Sequence, residues 1–429
     1  MKKITSSVII IFIFVSNLFS TSTEKIQSEI RSVLDALPAS TEMGILIYNP
    51  LTEDTIYSVN HIRSMIPASN TKLFTTATAL KIMGSEYVLS TQILAEKKDF
   101  SDTVLNGNIY IKGLGNSVFS SSDLDSLVEE IRKTGITNIT GNVVGDDTFI
   151  DDVYTRDDWI NDEKANVKLP PISALVIDRN KKIVKKKKGG RWRTYLVNVD
   201  IPPKNAAKLL KQKLINAGIN VEGNAIVGET PLTASVIVQS SVVLRELIKL
   251  INKNSDNFLA ECLFKTIGAV ASGKQGNSFY STQAILTIIE DYGIYAEGTT
   301  VVDGSGISRY DQITVGAIIG LLEKMYFDLK NFPYFYNSLS IAGVDGTLED
   351  RINISGNTIN FRGKTGTLNG VSSLSGYLTT KAGDELIVSM IFEFKRGGSN
   401  RYRNVQDKII KILNNWKEES PEEINIQGY

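Results

Sequence analysis

The chain has 429 residues, 42% of them hydrophobic and 22% charged, and its 47 basic residues balance 47 acidic ones. That length accommodates two or three domains, and the balanced charge provides no field that would gather nucleic acid. One cysteine, Cys262, excludes an internal disulfide and a multi-cysteine zinc site, and one histidine, His61, leaves a Ser-His-Asp hydrolase a single residue to be built on.

The first element is Met1-Lys2-Lys3 followed by an apolar run from Val8 to Phe19, interrupted only by Ser16 and Asn17, and then the small-x-small site Ser20-Thr21-Ser22. This is the anatomy of a secretory signal peptide over 1–22. An uncleaved anchor is the alternative reading, although the run is short for a membrane span. The expected location is exported: periplasmic, cell-envelope or extracellular. Next, residues 24–37 read as a helix. Met43–Tyr48 and Thr55–Val59 read as a strand hairpin around the turn Asn49–Asp54, and His61 falls at its exposed end. Residues 70–83 read as a helix, with Pro67 before it and Gly84 closing it.

From 88 to 238 the texture changes. Short strand-like runs (Leu105–Lys112, Asn142–Val144, Ser173–Ile177, Tyr195–Val199, Ala225–Val227) alternate with helical patterns at Ser122–Lys133 and Asn205–Ala217. After it, helices are expected over Ser241–Ile251, Asn257–Ile267 (where Cys262 reads as a buried small hydrophobe), Thr282–Asp291, Thr314–Tyr326 and Asn400–Trp416. Thr299–Val302 looks like a short strand. Thr358–Thr367, Val371–Thr379 and Glu385–Phe394 look like three consecutive strands. The expected fold is α/β of the α+β type. An antiparallel five-stranded sheet flanked by helices, from 23–87 and 239–429, is interrupted by an inserted mixed α/β region at 88–238. Such an insertion is cheap, because loop-closure cost grows only logarithmically with length.

Three short motifs occur in this order: Ser69-Asn70-Thr71-Lys72, Ser255-Asp256-Asn257 and Lys364-Thr365-Gly366. Each alone is weak, for Ser22–Lys25, Ser58–Asn60, Ser355–Asn357 and Lys133–Gly135 fit the same patterns. Order and placement separate the set from these decoys; Gly135, for example, follows a helix as a C-cap would. Ser69 opens a helix and Lys72 shares its face one turn on, so hydroxyl and amine can meet. Lys72 can act as a base only when neutral, which requires a downward shift of about 2–3 pKa units. Burial and a second lysine, for which Lys364 is the natural candidate, push that way. Ser255 and Asn257 sit in a connection between helices and can face one side. Lys364, Thr365 and Thr367 lie on a strand where Gly366 lets a ligand approach the backbone, and Thr367 offers an N–H for an oxyanion hole. No metal or other cofactor is called for.

These motifs resemble those of the penicillin-binding-protein and serine β-lactamase superfamily. More narrowly, the chain resembles the class C low-molecular-mass penicillin-binding proteins, the D-alanyl-D-alanine carboxypeptidase/endopeptidase (S13) family. The long gap between Ser69 and Ser255, the extended motif Asn252–Phe258, and the stretches Asp303–Arg309, Ile341–Leu348 and Pro170–Leu175 carry the likeness. It implies Ser69 as nucleophile, Lys72 as its base and Ser255 as proton shuttle. Asn257 would bind the substrate amide, Lys364 and Thr365 its terminal carboxylate, and the N–H groups of Ser69 and Thr367 would form the oxyanion hole. The implied substrate is a peptidoglycan stem peptide or cross-link, with β-lactams as covalent inhibitors and no nucleic-acid partner.

Two rival readings stay open. A β-lactamase would need a deacylating glutamate in an E-x-x-L-N stretch, and the nearest approach is Glu349–Asn353. A non-catalytic cell-wall-binding protein on the same fold would not need all of these polar residues. Residues 146–172 are where a segment could overhang the site and choose between carboxypeptidase and endopeptidase substrates. The basic run Lys185–Arg193 reads as a solvated hairpin with a Gly-Gly turn or as a contact with anionic wall polymer or a membrane surface.

Overall fold

The computed structural model describes residues 22–159, 169–352, 359–395 and 397–418. The signal peptide expected at 1–22 therefore lies, Ser22 apart, outside the described residues. In chain order the first part contributes helix α1 (Ser22–Asp35), strands β1 (Glu42–Asn49) and β2 (Asp54–Val59), and helix α2 (Thr71–Met83), entered through a 3₁₀ turn at Ala68–Asn70. The middle part holds β3 (Val88–Glu96), β4 (Phe100–Ser101), β5 (Val104–Leu105), β6 (Ile109–Leu114), α3 (Ser121–Lys133), β7 (Asn138–Ile139) and β8 (Val143–Asp146). It continues with β9 (Lys181–Lys188), β10 (Arg191–Asn198), α4 (Pro202–Asn216), β11 (Asn220–Val221), β12 (Ala225–Val227) and β13 (Ala234–Val243). The last part holds α5 (Leu244–Asn254), α6 (Asn257–Ser272), α7 (Ser278–Asp291), α8 (Val315–Phe327), α9 (Phe332–Ser338), β14 (Ser340–Ile341), β15 (Asn360–Leu368), β16 (Val371–Thr379), β17 (Glu385–Glu393) and α10 (Ser399–Leu413).

The large sheet runs β14-β15-β16-β17-β1-β2 with antiparallel neighbours throughout. It has the five expected strands plus the two-residue edge strand β14. Both faces are covered, which explains why β17 is a nearly continuous apolar run instead of an alternating one. Leu386, Val388, Met390 and Phe392 share a core with Ile26 and Ile30 of α1 and Ile409 and Ile410 of α10. Ile387 and Ile391 point the other way, into the core built by α2, α5, α6 and α8. Helix α2 lies at the centre of that second core, with ten of its thirteen residues buried. Its buried threonines are satisfied within the protein: Thr76 donates to the Lys72 carbonyl and Thr75 to the Gly304 carbonyl.

A second sheet runs β12-β8-β6-β3-β13. Strands β6, β8 and β12 are parallel, with α3 and α4 as the crossovers. Their apolar faces close a separate core with β3, β6 and β8. Strand β13 pairs with β3 along its whole length, from Ala234↔Glu96 to Val243↔Val88.

Four local expectations need correction. Ser173–Ile177 is buried but forms no strand. Its N–H groups go to side chains instead, Leu175 to Ser173 Oγ and Ile177 to Asn180 Oδ1, and its backbone presses on Gly113, where a Cβ would lie 2.1 Å from the Ala174 oxygen. The helix expected from Ser241 starts at Leu244, because Ser241–Val243 finish β13. The run Leu105–Lys112 is split at Gly107, which packs against Asp99. Thr299–Val302 makes a single bridge, Thr300↔Gln312.

The segment at Asp151–Val153 docks on α6. Lys265, 1% exposed, donates to Asp151 Oδ1 at 2.5 Å and to the Val153 carbonyl at 2.6 Å. Removing one partner of such a pair leaves a buried charge uncompensated. Asp151→Ala should cost about 3 kcal/mol in urea denaturation, and the double variant Asp151→Val, Lys265→Met should recover most of that loss.

Candidate active site

Ser69 stands on the 3₁₀ turn that leads into α2. Ala68 before it is left-handed, φ 49°, a conformation costly for a residue with a Cβ and held only by its surroundings. Gly306 packs so closely behind the turn that a Cβ there would lie 1.9 Å from the Ala68 carbonyl oxygen. Strand β16 fixes the other side: Ser373 Oγ donates to the Pro67 carbonyl at 2.7 Å and Asn70 Nδ2 to Ser375 Oγ at 2.8 Å.

Lys72 is fully buried one turn on. Its ammonium donates to Ser69 Oγ at 3.0 Å, to Asn257 Oδ1 at 2.7 Å and to the Ser305 carbonyl. Three donors thus meet three acceptors from three separate segments. Burial pushes the Lys72 amine down to about 8, against the opposing pull of Asp303, Glu261, Asp256 and Asp311. The first two of these also shape the loop that supplies the Ser305 carbonyl. Glu261 Oε1 accepts the N–H groups of Gly304 and Ser305, and Asp303 accepts those of Ser305, Gly306 and Ser308. Burial and the Asp303 charge hold the Glu261 carboxyl well above the usual range.

The second motif is a two-residue joint between α5 and α6. Ser255 is left-handed (φ 53°, ψ 42°) and caps α5, while the Asp256 carboxylate accepts the Leu259 N–H and caps α6. Asn257 therefore begins α6 facing Lys72. Asn252, one turn before, ties the joint to Thr76 of α2 and Ser338 of α9. Arg179 grips Asp256 with both terminal guanidinium nitrogens, at 2.7 and 2.8 Å, and lies over the Phe258 ring. It belongs to three successive left-handed residues, Asp178, Arg179 and Asn180.

Lys364 is buried on β15, behind Ser255. Its ammonium donates to Ser255 Oγ at 2.8 Å and to the Thr365 carbonyl at 2.7 Å. Burial, reinforced by the Lys72 charge, holds it well below the ordinary lysine range. Two lysine–serine pairs thus stand side by side. Thr365 Oγ1 donates to Thr347 Oγ1, and Thr367 is exposed at the rim, accepting from Arg403 at 3.0 Å. At Gly366 the backbones of β15 and the Ser69 turn nearly touch: a Cβ would sit 2.1 Å from Ser373 Oγ and 3.0 Å from the Ser69 nitrogen.

A cleft of about 410 Å³ opens over these groups. Of the residues expected from the sequence, Ser69, Ser255, Asn257, Thr365 and Thr367 line it, and Lys72 and Lys364 lie one layer behind. Sequence reading missed Thr347, Arg351 and Arg403, which also line it. The only signal for Arg351 was a cation just past Gly346-Thr347-Leu348; Arg403 sits on α10 without any motif. Arg351 is held toward the cleft by Asp407 and Gln406. His61 is exposed, bonded to Ser58, and Glu349 is exposed; neither lines the cleft. Among the decoys, Ser22–Lys25 lies in α1 and Lys133–Gly135 ends α3 with Gly135 at φ 88°; Ser355–Asn357 lies outside the described residues. The arrangement can do nucleophilic acyl transfer: a hydroxyl beside an amine of lowered basicity, with a second hydroxyl backed by a second amine.

Comparison with known proteins gives a family for the chain and a likeness for its fold. The family model described as D-Ala-D-Ala carboxypeptidase 3 (S13) matches residues 26–194 and 188–416. A D-alanyl-D-alanine carboxypeptidase of Actinomadura sp. (strain R39) is 26% identical over 85% of this chain and 81% of its own. The D-alanyl-D-alanine carboxypeptidase DacB of Haemophilus influenzae is 25% identical over 82% of this chain and 85% of its own. In fold, the chain is similar to penicillin binding protein 4 (dacB) from Haemophilus influenzae, with a TM-score of 0.79 at 21% identity over 90% of this chain and 99% of that one. The same protein complexed with a β-lactam gives 0.75 at 20% identity, over 90% of this chain and all of that one.

Gly366→Ala should cut the rate of β-lactam acylation at least about 100-fold while the protein stays folded, because the new methyl must displace Ser373 or the Ser69 turn by an ångström, and misplacements of that size cost about that much. Stopped-flow labelling with a fluorescent penicillin, alongside circular dichroism, checks it.

Proposed function

We propose that this chain, which belongs to the D-Ala-D-Ala carboxypeptidase 3 (S13) family, is a serine D-alanyl-D-alanine carboxypeptidase working through an acyl-enzyme on Ser69. The observation that carries the reading is the Lys72 amine, buried and lowered in basicity, 3.0 Å from Ser69 Oγ. Neutral Lys72 takes the Ser69 proton as Oγ attacks the carbonyl of the penultimate D-alanine. The tetrahedral oxyanion is received by the N–H groups of Ser69 and Thr367. As the C–N bond breaks, Ser255 passes a proton to the leaving amine and is resupplied from the lysines behind it. Water then cleaves the ester and returns Ser69. Asn257 binds the substrate amide. Lys364 and Thr365 are assigned to the terminal carboxylate, Lys364 acting through Ser255, with Arg351 and Arg403 adding positive charge at the open side of the cleft.

The same chemistry serves a peptide cross-link, so DD-endopeptidase activity is part of the proposal, with residues 146–172 as the segment that discriminates. Within it, Asp158 bonds Ser308, Arg156 bonds the Val302 carbonyl, and Trp159 bonds Asp303; residues 160–168 lie outside the described residues. We take 23–87 and 239–429 as one catalytic unit with 88–238 inserted, a division favoured by the pairing of β3 with β13, which brings both ends of the insertion together. An exported location fits the wall substrate. Among the described residues no helix is long and apolar enough to cross a membrane.

Because folding lowers the Lys72 pKa, the neutral base gains as pH rises through about 8. At pH 7 about a tenth is neutral, against roughly 3 in 10,000 for a lysine titrating near 10.5. The acylation rate constant should therefore rise about tenfold per pH unit below ~8 and level off above it, and Lys72→Arg should lose the reaction, since a guanidinium cannot give up its proton. A flat profile between pH 6 and 9 would refute Lys72 as the base. Mass spectrometry of products from defined monomeric and cross-linked wall fragments should show loss of the terminal D-alanine, absent in Ser69→Ala. Rapid steady hydrolysis of penicillin would instead identify a β-lactamase, and no adduct at all a non-catalytic wall-binding protein.

A further inference from the structure

Strands β9 and β10 form a separate two-stranded ribbon, paired from Lys181↔Asn198 to Lys188↔Arg191 and closed by Gly189 and Gly190, both at positive φ. Residues 181–198 carry Lys181, Lys182, Lys185, Lys186, Lys187, Lys188, Arg191 and Arg193 and no acidic residue. None of these cations has an ion-pair partner among the described residues.

Side chains alternate across the ribbon. One face carries Val184, Tyr195 and Val197, all half-buried. The other carries the cross-strand pair Ile183↔Leu196 and, nearer the tip, Trp192 opposite Lys187. Ile183 is 70% exposed, Leu196 64% and Trp192 70%. Three large apolar side chains thus form a stripe along the outward face, interrupted by Lys185 and flanked by Lys181 and Lys187, while Lys182, Lys186, Lys188, Arg191 and Arg193 project from the opposite face.

We propose that this ribbon is a membrane-surface anchor that docks on an anionic lipid bilayer. A soluble polyanion would satisfy the cations and leave the apolar stripe in water. A bilayer interface takes both: Lys181, Lys185 and Lys187 on the lipid phosphates, the indole at headgroup depth, and Ile183 and Leu196 at the acyl boundary, with the cations of the other face adding to the long-range attraction of an anionic surface. Three apolar side chains give shallow, reversible attachment, sensitive to salt because the charge attraction is screened.

The purified protein should bind vesicles of equal parts phosphatidylglycerol and phosphatidylcholine at low salt and ignore phosphatidylcholine alone. Tryptophan emission should shift to the blue on binding, a signal from Trp192, since Trp159 and Trp416 are buried. Trp192→Ser should weaken binding about fivefold or more, and the joint change of Lys185, Lys186, Lys187 and Lys188 to Gln at least about 50-fold, with thermal midpoints unchanged in both. The proposal is overturned if phosphatidylglycerol vesicles do not bind. It is equally overturned if Trp192→Ser binds as well as the native chain and soluble poly(glycerol phosphate) competes completely, for then a dissolved polyanion is the occupant.

Discussion

The architecture around the cleft is organised by one buried ammonium, that of Lys72. Holding its pKa near 8 rather than 10.5 costs the folded state about 3 kcal/mol below pH 8, a cost that fades as pH rises toward the unfolded value. Packing must supply the difference, and it does so from three directions at once. Helix α2 and the 3₁₀ turn that enters it bring the lysine and the Ser69 hydroxyl, α6 begins with the asparagine that faces it, and the 303–306 loop turns a carbonyl toward it. Deleting any one of these acceptors would leave a charge in a dry interior, which is far more costly than a lost surface contact.

The two serines that line the cleft share a backbone device. Ser69 follows a left-handed alanine, and Ser255 is itself left-handed. Each sits where one element ends and another begins, so the hydroxyl projects from a corner whose conformation the neighbours enforce. Ser255 is held by the caps on both sides of it, and Ser69 by β16 and the Gly306 contact. Both serines are therefore positioned by backbone, with little freedom left to search.

How much of this was legible in the sequence follows from range. Helix α2, the joint at Ser255–Asp256 and strands β15, β16 and β17 were readable because their patterns and caps are local. Strands β3 and β13 were not, since polar Ser90, Thr91 and Gln92 blur one and the other runs directly into α5. Ser173–Ile177 looked like a strand because it is apolar and buried, but burial was achieved by pressing on Gly113, with side chains answering its N–H groups. The motifs located Ser69, Lys72, Ser255, Asn257, Lys364, Thr365 and Thr367. They said nothing of Arg351 and Arg403, whose place at the cleft depends on α10 packing across the sheet.

The grip of Arg179 on Asp256 joins a residue of the middle part to the joint that sets Ser255 and Asn257. Arg179 reaches it only once three successive residues have been forced left-handed by the structure around them. The joint is capped by its own two helices, and the capping carboxylate of Asp256 is held in turn by Arg179. A chain segment far upstream braces it from outside. The position of the Ser255 hydroxyl beside the cleft is thus tied to a residue 76 places upstream, and a disturbance of the middle part at Arg179 is transmitted to the cleft through a single carboxylate.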